Sequence, residues 1–289
     1  MKSENIDQLT IQKLINYLVV GHVTADLTKA GTKLGGTVTF SGLTAKALGF
    51  NVGIITSCSP DLDLSPIQSL WKIIKSSHHS TTFENISDGV NRTQYLYHIA
   101  ERLNGDDIPS FQHIPEIIHL GPVANEVDIN ILGSFPNSLK CLTPQGWMRS
   151  KNYDNLVQRI KWANYIDALH QADIAVISVD DVQGDEELIA SMSHEIPIFV
   201  VTENKKGARV YWNNDARFIN APEVTFVDDT GAGDIFAAAF FCRYFHTKDP
   251  WEAGRFAVLL ASWSVKRKQL DGIPSADEIN QAKTQLLGQ

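Results

Sequence analysis

The stretch FVDDTGAGDIFAAAFF, Phe226 to Phe241, sets three acids and a small-residue turn directly before an apolar run. Gly231, Ala232 and Gly233 carry little or no side chain, so an anion could approach their backbone closely. A helix that begins there leaves amide N–H groups without partners, and such groups attract anions. Asp234 then stands at the mouth of that anion site, a charge that dislikes burial placed before a core segment. Asp is also a common helix cap, and glycines also serve simply to turn a strand into a helix. Asp228 and Asp234 flanking one anion site make chemical sense where a metal-bound phosphate arrives between them.

The elements that must hold this turn are legible as strands and helices. EVTFVDD alternates like a strand, and DIFAAAFFCRYF reads as a helix that is apolar all round, which places the turn deep. Upstream, NYLVVGHV, VGIITS, EIIHLG, SLKCLTP, DIAVISV, IPIFVVT and ARVYW read as strands. Between them TVTFSGLTAKALGF, PIQSLWKIIKSS, WANYIDALHQA and DEELIASMSHE read as helices. This alternation implies a parallel sheet covered on both faces, with binding residues at the carboxyl ends of its strands. The segment Thr81 to Gly105 breaks the rhythm and reads as a β-rich pair, a flap over a site. No linker divides the chain, so residues 1–289 read as one domain.

Composition narrows the partners. The 289 residues are 43% apolar and 20% charged, ordinary for a globular protein with a sizeable core. A formal charge of −8 argues against nucleic acid or an acidic membrane as partner, since both need a basic face. Three scattered cysteines, Cys58, Cys141 and Cys242, give no disulfide framework and fit a reducing, cytoplasmic compartment. The amino terminus lacks a signal-peptide layout, and no apolar run approaches the ~20 residues a membrane helix needs. His78–His79 have no second ligand pair at metal spacing and read as a solvated loop. Neither GxxxxGK[ST] nor GxSxG occurs.

DDTGAGD resembles the C-terminal signature of the ribokinase-like (PfkB) carbohydrate kinases. The resemblance implies that Asp234 is the catalytic base. It makes Gly231, Ala232 and Gly233 the anion hole, Asp228 the first acid of the signature and Thr230 a nucleotide contact. Asp229 stands where Thr or Pro is more usual. LGGTVTFSGLTAKALGF resembles the family's N-terminal signature, with Gly35 and Gly36 bringing backbone close to a polyol. VVGHVTADL supplies Asp26 as the acid that binds substrate hydroxyls. Phe40 replaces the Asn found in many sugar kinases. An aromatic there, with LTPQGWMR and HLGPVANEVD, is most similar to the myo-inositol-kinase branch. Asn125 and Glu126 would then face the site edge, or else form a solvated helix start. Arg92, in the flap, would touch substrate or phosphate, or else be an exposed strand arginine.

VVTENKKGARVYW resembles the family's nucleotide loop: Thr202, Glu203 and Gly207 match, while Asn204 stands where Gly is usual. SVDD occupies the place of the metal-organising N-x-x-E motif, with Ser178 for Asn and Asp181 for Glu. Asp181 and Asp228 would hold a hydrated Mg²⁺, an ion that keeps several waters. Ala257 and Ala261 are small enough for an adenine to pack on, or for a helix–helix contact.

Taken from Tyr17 to Pro274, the resemblance implies an α/β fold: a three-layer α/β/α sandwich, mostly parallel, with a small β flap from about 27–34 and 81–98. It implies ATP and Mg²⁺ as cofactors, leaves open a monovalent cation such as K⁺, and leaves monomer or homodimer open. The implied reaction passes the γ-phosphoryl group to a hydroxyl of a small polyol, sugar or cyclitol, with myo-inositol foremost. Nucleoside, ketose and sugar-acid acceptors stay as alternatives, as does a catalytically silent nucleotide-binding regulator. SVDD and Asn204 favour silence; the retained TGAGD favours activity.

Overall fold

A computed structural model describes residues 15–87 and 92–287. The first strands in chain order are β1 Tyr17–Val20, β2 Thr24–Thr28, β3 Gly31–Gly35, β4 Val52–Cys58 and β5 Trp71–Ser76. Then come β6 Thr81–Ser87, β7 Arg92–His98, β8 Ile117–Leu120, β9 Leu139–Leu142, β10 Arg149–Lys151 and β11 Val157–Arg159. β12 Ile174–Ser178, β13 Ile198–Thr202, β14 Gly207–Trp212 and β15 Asp215–Asn220 complete the strands. The helices are α1 Thr37–Ala47, α2 Tyr165–Leu169, α3 Glu186–Ser193, α4 Ala232–Thr247, α5 Pro250–Ser264 and α6 Ala276–Leu287.

The chain divides into two compact units. One is drawn from Met1–Thr39, Asn51–Ser138 and Pro144–Ala163, the other from Phe40–Phe50, Leu139–Thr143 and Asn164–Gln289.

In the first unit β8-β1-β4-β5 run parallel. All four residues of β1 and all seven of β4 are buried, as expected of parallel strands covered on both faces. A second sheet, in the order β3-β2-β6-β7, contains the two segments read as a flap. Phe83 and Leu96 give it an apolar face, packed with Val123 and Ala124 from the loop after β8. Arg92 opens β7, but its side chain lies outside the described residues.

In the second unit the order is β15-β14-β13-β12-β9, parallel apart from β14 and β15. α4 buries every residue from Ile235 to Cys242. Asp249 caps α5 by accepting the amides of Trp251 (2.8 Å) and Glu252 (3.1 Å), with Pro250 at the first helical position. Among the described residues no helix is long and apolar enough to cross a membrane.

The α/β class and mostly parallel pairing agree with the sequence reading, and three local readings do not. PIQSLWKIIKSS is not a helix: Ser65–Ile67 form one 3₁₀ turn, and Trp71–Ser76 become β5, parallel to β4. The apolar spacing there suits a helix, but β4 needs a partner for its backbone polar groups, and that non-local ladder decides the outcome. EVTFVDD is not a strand, because no ladder pairs it; the amides of Val227 and Asp228 both donate to the Val265 carbonyl, at 2.8 and 3.1 Å. Finally, the turn is not deep: burial starts at Ile235, whereas Gly233 is exposed and Asp234 half-buried.

Candidate active site

Each unit holds part of the chemistry expected from the sequence. In the second unit Gly231 is the N-cap of α4, in the left-handed region at φ 79°. That conformation suits glycine, and the space confirms it: a Cβ there would fall within the ring of Phe40, which is 2% exposed. Ser41 Oγ donates to the main-chain oxygen of Asp234 (3.1 Å), so α1 grips the turn twice. The Ala232 amide donates to the Asp229 carbonyl (3.0 Å) and closes the turn.

Asp228 shapes the same turn. Its Oδ1 accepts the Thr230 amide (3.0 Å) and hydroxyl (2.7 Å), and its Oδ2 accepts the Gln269 amide (3.0 Å). After β12, Asp181 Oδ2 accepts the Ser178 amide (2.9 Å). The side-chain amide of Asn204, at φ 51°, donates to Asp180 Oδ2 (3.1 Å). After β13, the Thr202 hydroxyl donates to the Ile177 carbonyl (3.2 Å) and the Glu203 amide to the Gly207 carbonyl (2.7 Å). Glu203 also forms an ion pair with Arg209, whose fork clamps Glu186 at 2.6 and 2.9 Å. Those hydrogen bonds hold Glu186 below the usual carboxylate range and Arg209 above its usual value. On α5, Ala257 is buried and Ala261 half-buried.

In the first unit Asp26 lies on β2, where its Oδ1 accepts the Thr24 hydroxyl (2.7 Å). Gly36 is sterically required, and Gly35 keeps space for a side chain. A Cβ on Gly35 would collide with the Asp26 carboxylate, and one on Gly36 (φ 90°) with the His22 carbonyl. Asn125 is exposed at φ 61°. Glu126 is 2% exposed, and its carboxylate accepts three backbone amides: His22 (3.1 Å), Val123 (3.0 Å) and Ala124 (2.6 Å). It fastens the end of β1 to the loop after β8.

Sequence reasoning missed four of these residues. His22 is fully buried, with Nε2 facing the Glu101 carbonyl (2.9 Å) and Nδ1 facing the Thr81 hydroxyl (2.6 Å). Nothing in VVGHVTAD marks it. Ser41 and Arg209 likewise act through partners distant in sequence or on a neighbouring element, while Thr24 acts on Asp26 two residues along β2.

Residues 154–276 match the family model described as pfkB family carbohydrate kinase. That segment is similar to the pfkB carbohydrate kinases. That match takes in β12 to α5, with the Gly231–Asp234 turn inside it. No curated protein sequence matches the chain.

Solved structures extend the likeness beyond the PfkB match. A pyrophosphate-dependent kinase in the ribokinase family, complexed with a pyrophosphate analog and myo-inositol, is 19% identical at a TM-score of 0.76, over 92% of this chain and 99% of that one. A variant fructokinase from Vibrio cholerae, with fructose, ADP and potassium bound, is 17% identical at 0.73, over 93% and 98%. A Methanocaldococcus jannaschii nucleoside kinase is 17% identical at 0.67, over 95% and 99%. At such identities the likeness establishes the ribokinase-like fold of this chain.

Proposed function

We propose that the chain transfers a phosphoryl group from ATP to a hydroxyl of a small polyol, sugar or cyclitol, with myo-inositol the first acceptor to test. The observation that carries this reading is Asp234: a half-buried carboxylate in the first turn of a helix buried from Ile235 to Cys242, behind a left-handed glycine. A structural helix needs no such turn, and an anion-binding helix end beside a base serves phosphoryl transfer.

In this reading Asp234 accepts the acceptor's hydroxyl proton. The transition state is largely dissociative, so a modest base suffices, and its positioning contributes ~10²–10⁴-fold. The amides of Gly231 and Gly233 face the transferred oxygens, while that of Ala232 is held in the turn. Asp26, the Gly35–Gly36 backbone, Asn125 and Arg92 are assigned to the acceptor, with Glu126 and Phe40 shaping the surfaces behind them. Thr202, Glu203, Gly207, Thr230, Ala257 and Ala261 are assigned to the nucleotide.

The metal assignment has its own test in the geometry. Among the described residues no group of three or more His, Cys, Asp or Glu side chains could hold a metal ion. Asp228 spends both carboxylate oxygens on backbone amides. This donor set suits a Mg²⁺ that arrives on the phosphates and keeps its waters, with Asp181 as the carboxylate facing it. When bound, that ion would neutralise developing phosphate charge.

The test is Mg²⁺-dependent product release across myo-inositol, hexoses, ketoses, sugar acids and nucleosides. ATP and pyrophosphate would be supplied as parallel donors, since a similar structure is of a pyrophosphate-dependent kinase. Turnover with one acceptor class, lost in Asp234→Asn, supports the reading. Silence with every acceptor and both donors, while ATP still binds, would favour a regulatory role.

A further inference from the structure

On the outer strand of the second unit a cleft of about 200 Å³ opens between β15 and the first half of α5, with none of its lining residues among those assigned to transfer. It is lined by Arg217, Phe218, Ile219, Trp251 and Arg255. Gly254 lets α5 approach the sheet closely beside it, since a Cβ there would sit 2.5 Å from Ile219 Cδ1. Arg255 Nε is buried and has no hydrogen-bond partner among the described residues. Arg217 lies 4.3 Å over the Trp251 ring and gives its Nε to Asp215 (3.0 Å), which leaves its two Nη groups for a ligand. Trp251 is wedged from its other side by Trp212, at 5.8 Å.

We propose that this cleft is a second binding site, for a small phosphate-type oxyanion. A buried guanidinium donor without an acceptor is unfavourable, and two guanidinium forks with free donors match the geometry of phosphate oxygens. The lining holds two arginines and no carboxylate, and Asp215 pairs with Arg217 at its edge, so the cleft keeps a net positive charge. Its volume is below that of ordinary drug-sized pockets, which suits inorganic phosphate or the head of a phosphomonoester. Phe218 and Trp251 supply apolar walls beside the two guanidinium groups.

The test is a titration of the intact chain with inorganic phosphate, followed through the Trp251 indole N–H resonance, assigned with Trp251→Phe. A saturable shift is expected, retained in Asp234→Asn and weakened at least tenfold in Arg255→Gln, with Arg255→Lys between. Glycerol 3-phosphate in parallel tells a phosphomonoester ligand from free phosphate. An unmoved Trp251 resonance in the intact chain would overturn the proposal whatever the variants do. So would an equal shift with potassium chloride at matched ionic strength, or an unchanged midpoint in folded Arg255→Gln.

Discussion

The ring of Phe40, on α1, packs directly against Gly231, the residue that caps α4. The two halves of the sequence signature thus meet in one contact, with Ser41 adding its hydrogen bond to the Asp234 carbonyl. An aromatic at position 40 is therefore part of the floor of the turn.

Gly231→Ala should damage both stability and turnover. The left-handed backbone alone costs an alanine about 1–2 kcal/mol, and the new methyl must also displace a buried ring. Phe40→Ala should cost about 3–5 kcal/mol through the cavity it leaves. The double variant should be more stable than the sum of the two losses, because the methyl then has room. Thermal unfolding of all four proteins checks this; strict additivity would mean that the ring does not limit the turn.

Asp234→Asn should leave the fold nearly unchanged, since the Ser41 bond goes to the main chain. Turnover should fall by ~10²–10⁴-fold with donor binding retained. Steady-state kinetics with a donor-binding isotherm separates the two effects. Comparable turnover would remove Asp234 from its role as base.

Glu126→Gln should destabilise the protein by about 1–3 kcal/mol, because an amide cannot accept three backbone N–H groups as a carboxylate does. The loss should show in denaturant midpoints. Acceptor KM should rise more than kcat falls if the loop it fastens shapes the acceptor surface. A midpoint unchanged from the wild type would show that the bracket contributes nothing.

His119 sets an acid limit. It is fully buried, 2.9 Å from the Tyr17 hydroxyl, and burial pushes its pKa down from 6.5 to about 3. The folded ring stays neutral while the unfolded ring gains a proton, so stability falls as pH drops below 6.5 toward 3. The expected slope is about 1.4 kcal/mol per pH unit from this group alone. His119→Gln should flatten the curve of unfolding free energy over that window; an unchanged slope would mean that other groups dominate acid sensitivity.

How much of this was legible in the sequence depends on how local each signal is. TGAGD and the apolar run after it are contiguous, so the turn, the helix and the candidate base could all be read directly. The strands β1, β4, β8, β12 and β13 announce themselves as short apolar runs bounded by turn residues. Trp71–Ser76 defeated the same method because its spacing fits a helix and only its ladder with β4 makes it a strand. EVTFVDD failed in the opposite sense, alternating like a strand without any partner to pair with.

The sequence by itself determined the class of fold and marked the glycine turn with its acids, since both rest on residue types and spacings within a few positions of one another. Tertiary structure alone decided which polar groups stand ready for ligands and which brace the scaffold. Glu126 reaches His22 across 104 positions, and Asp228 reaches Gln269 across 41. Arg209 takes Glu203 and Glu186, and Arg255 Nε has no acceptor among the described residues. A carboxylate's partners are set by which backbone amides folding brings within 3 Å of it, and no linear pattern encodes that.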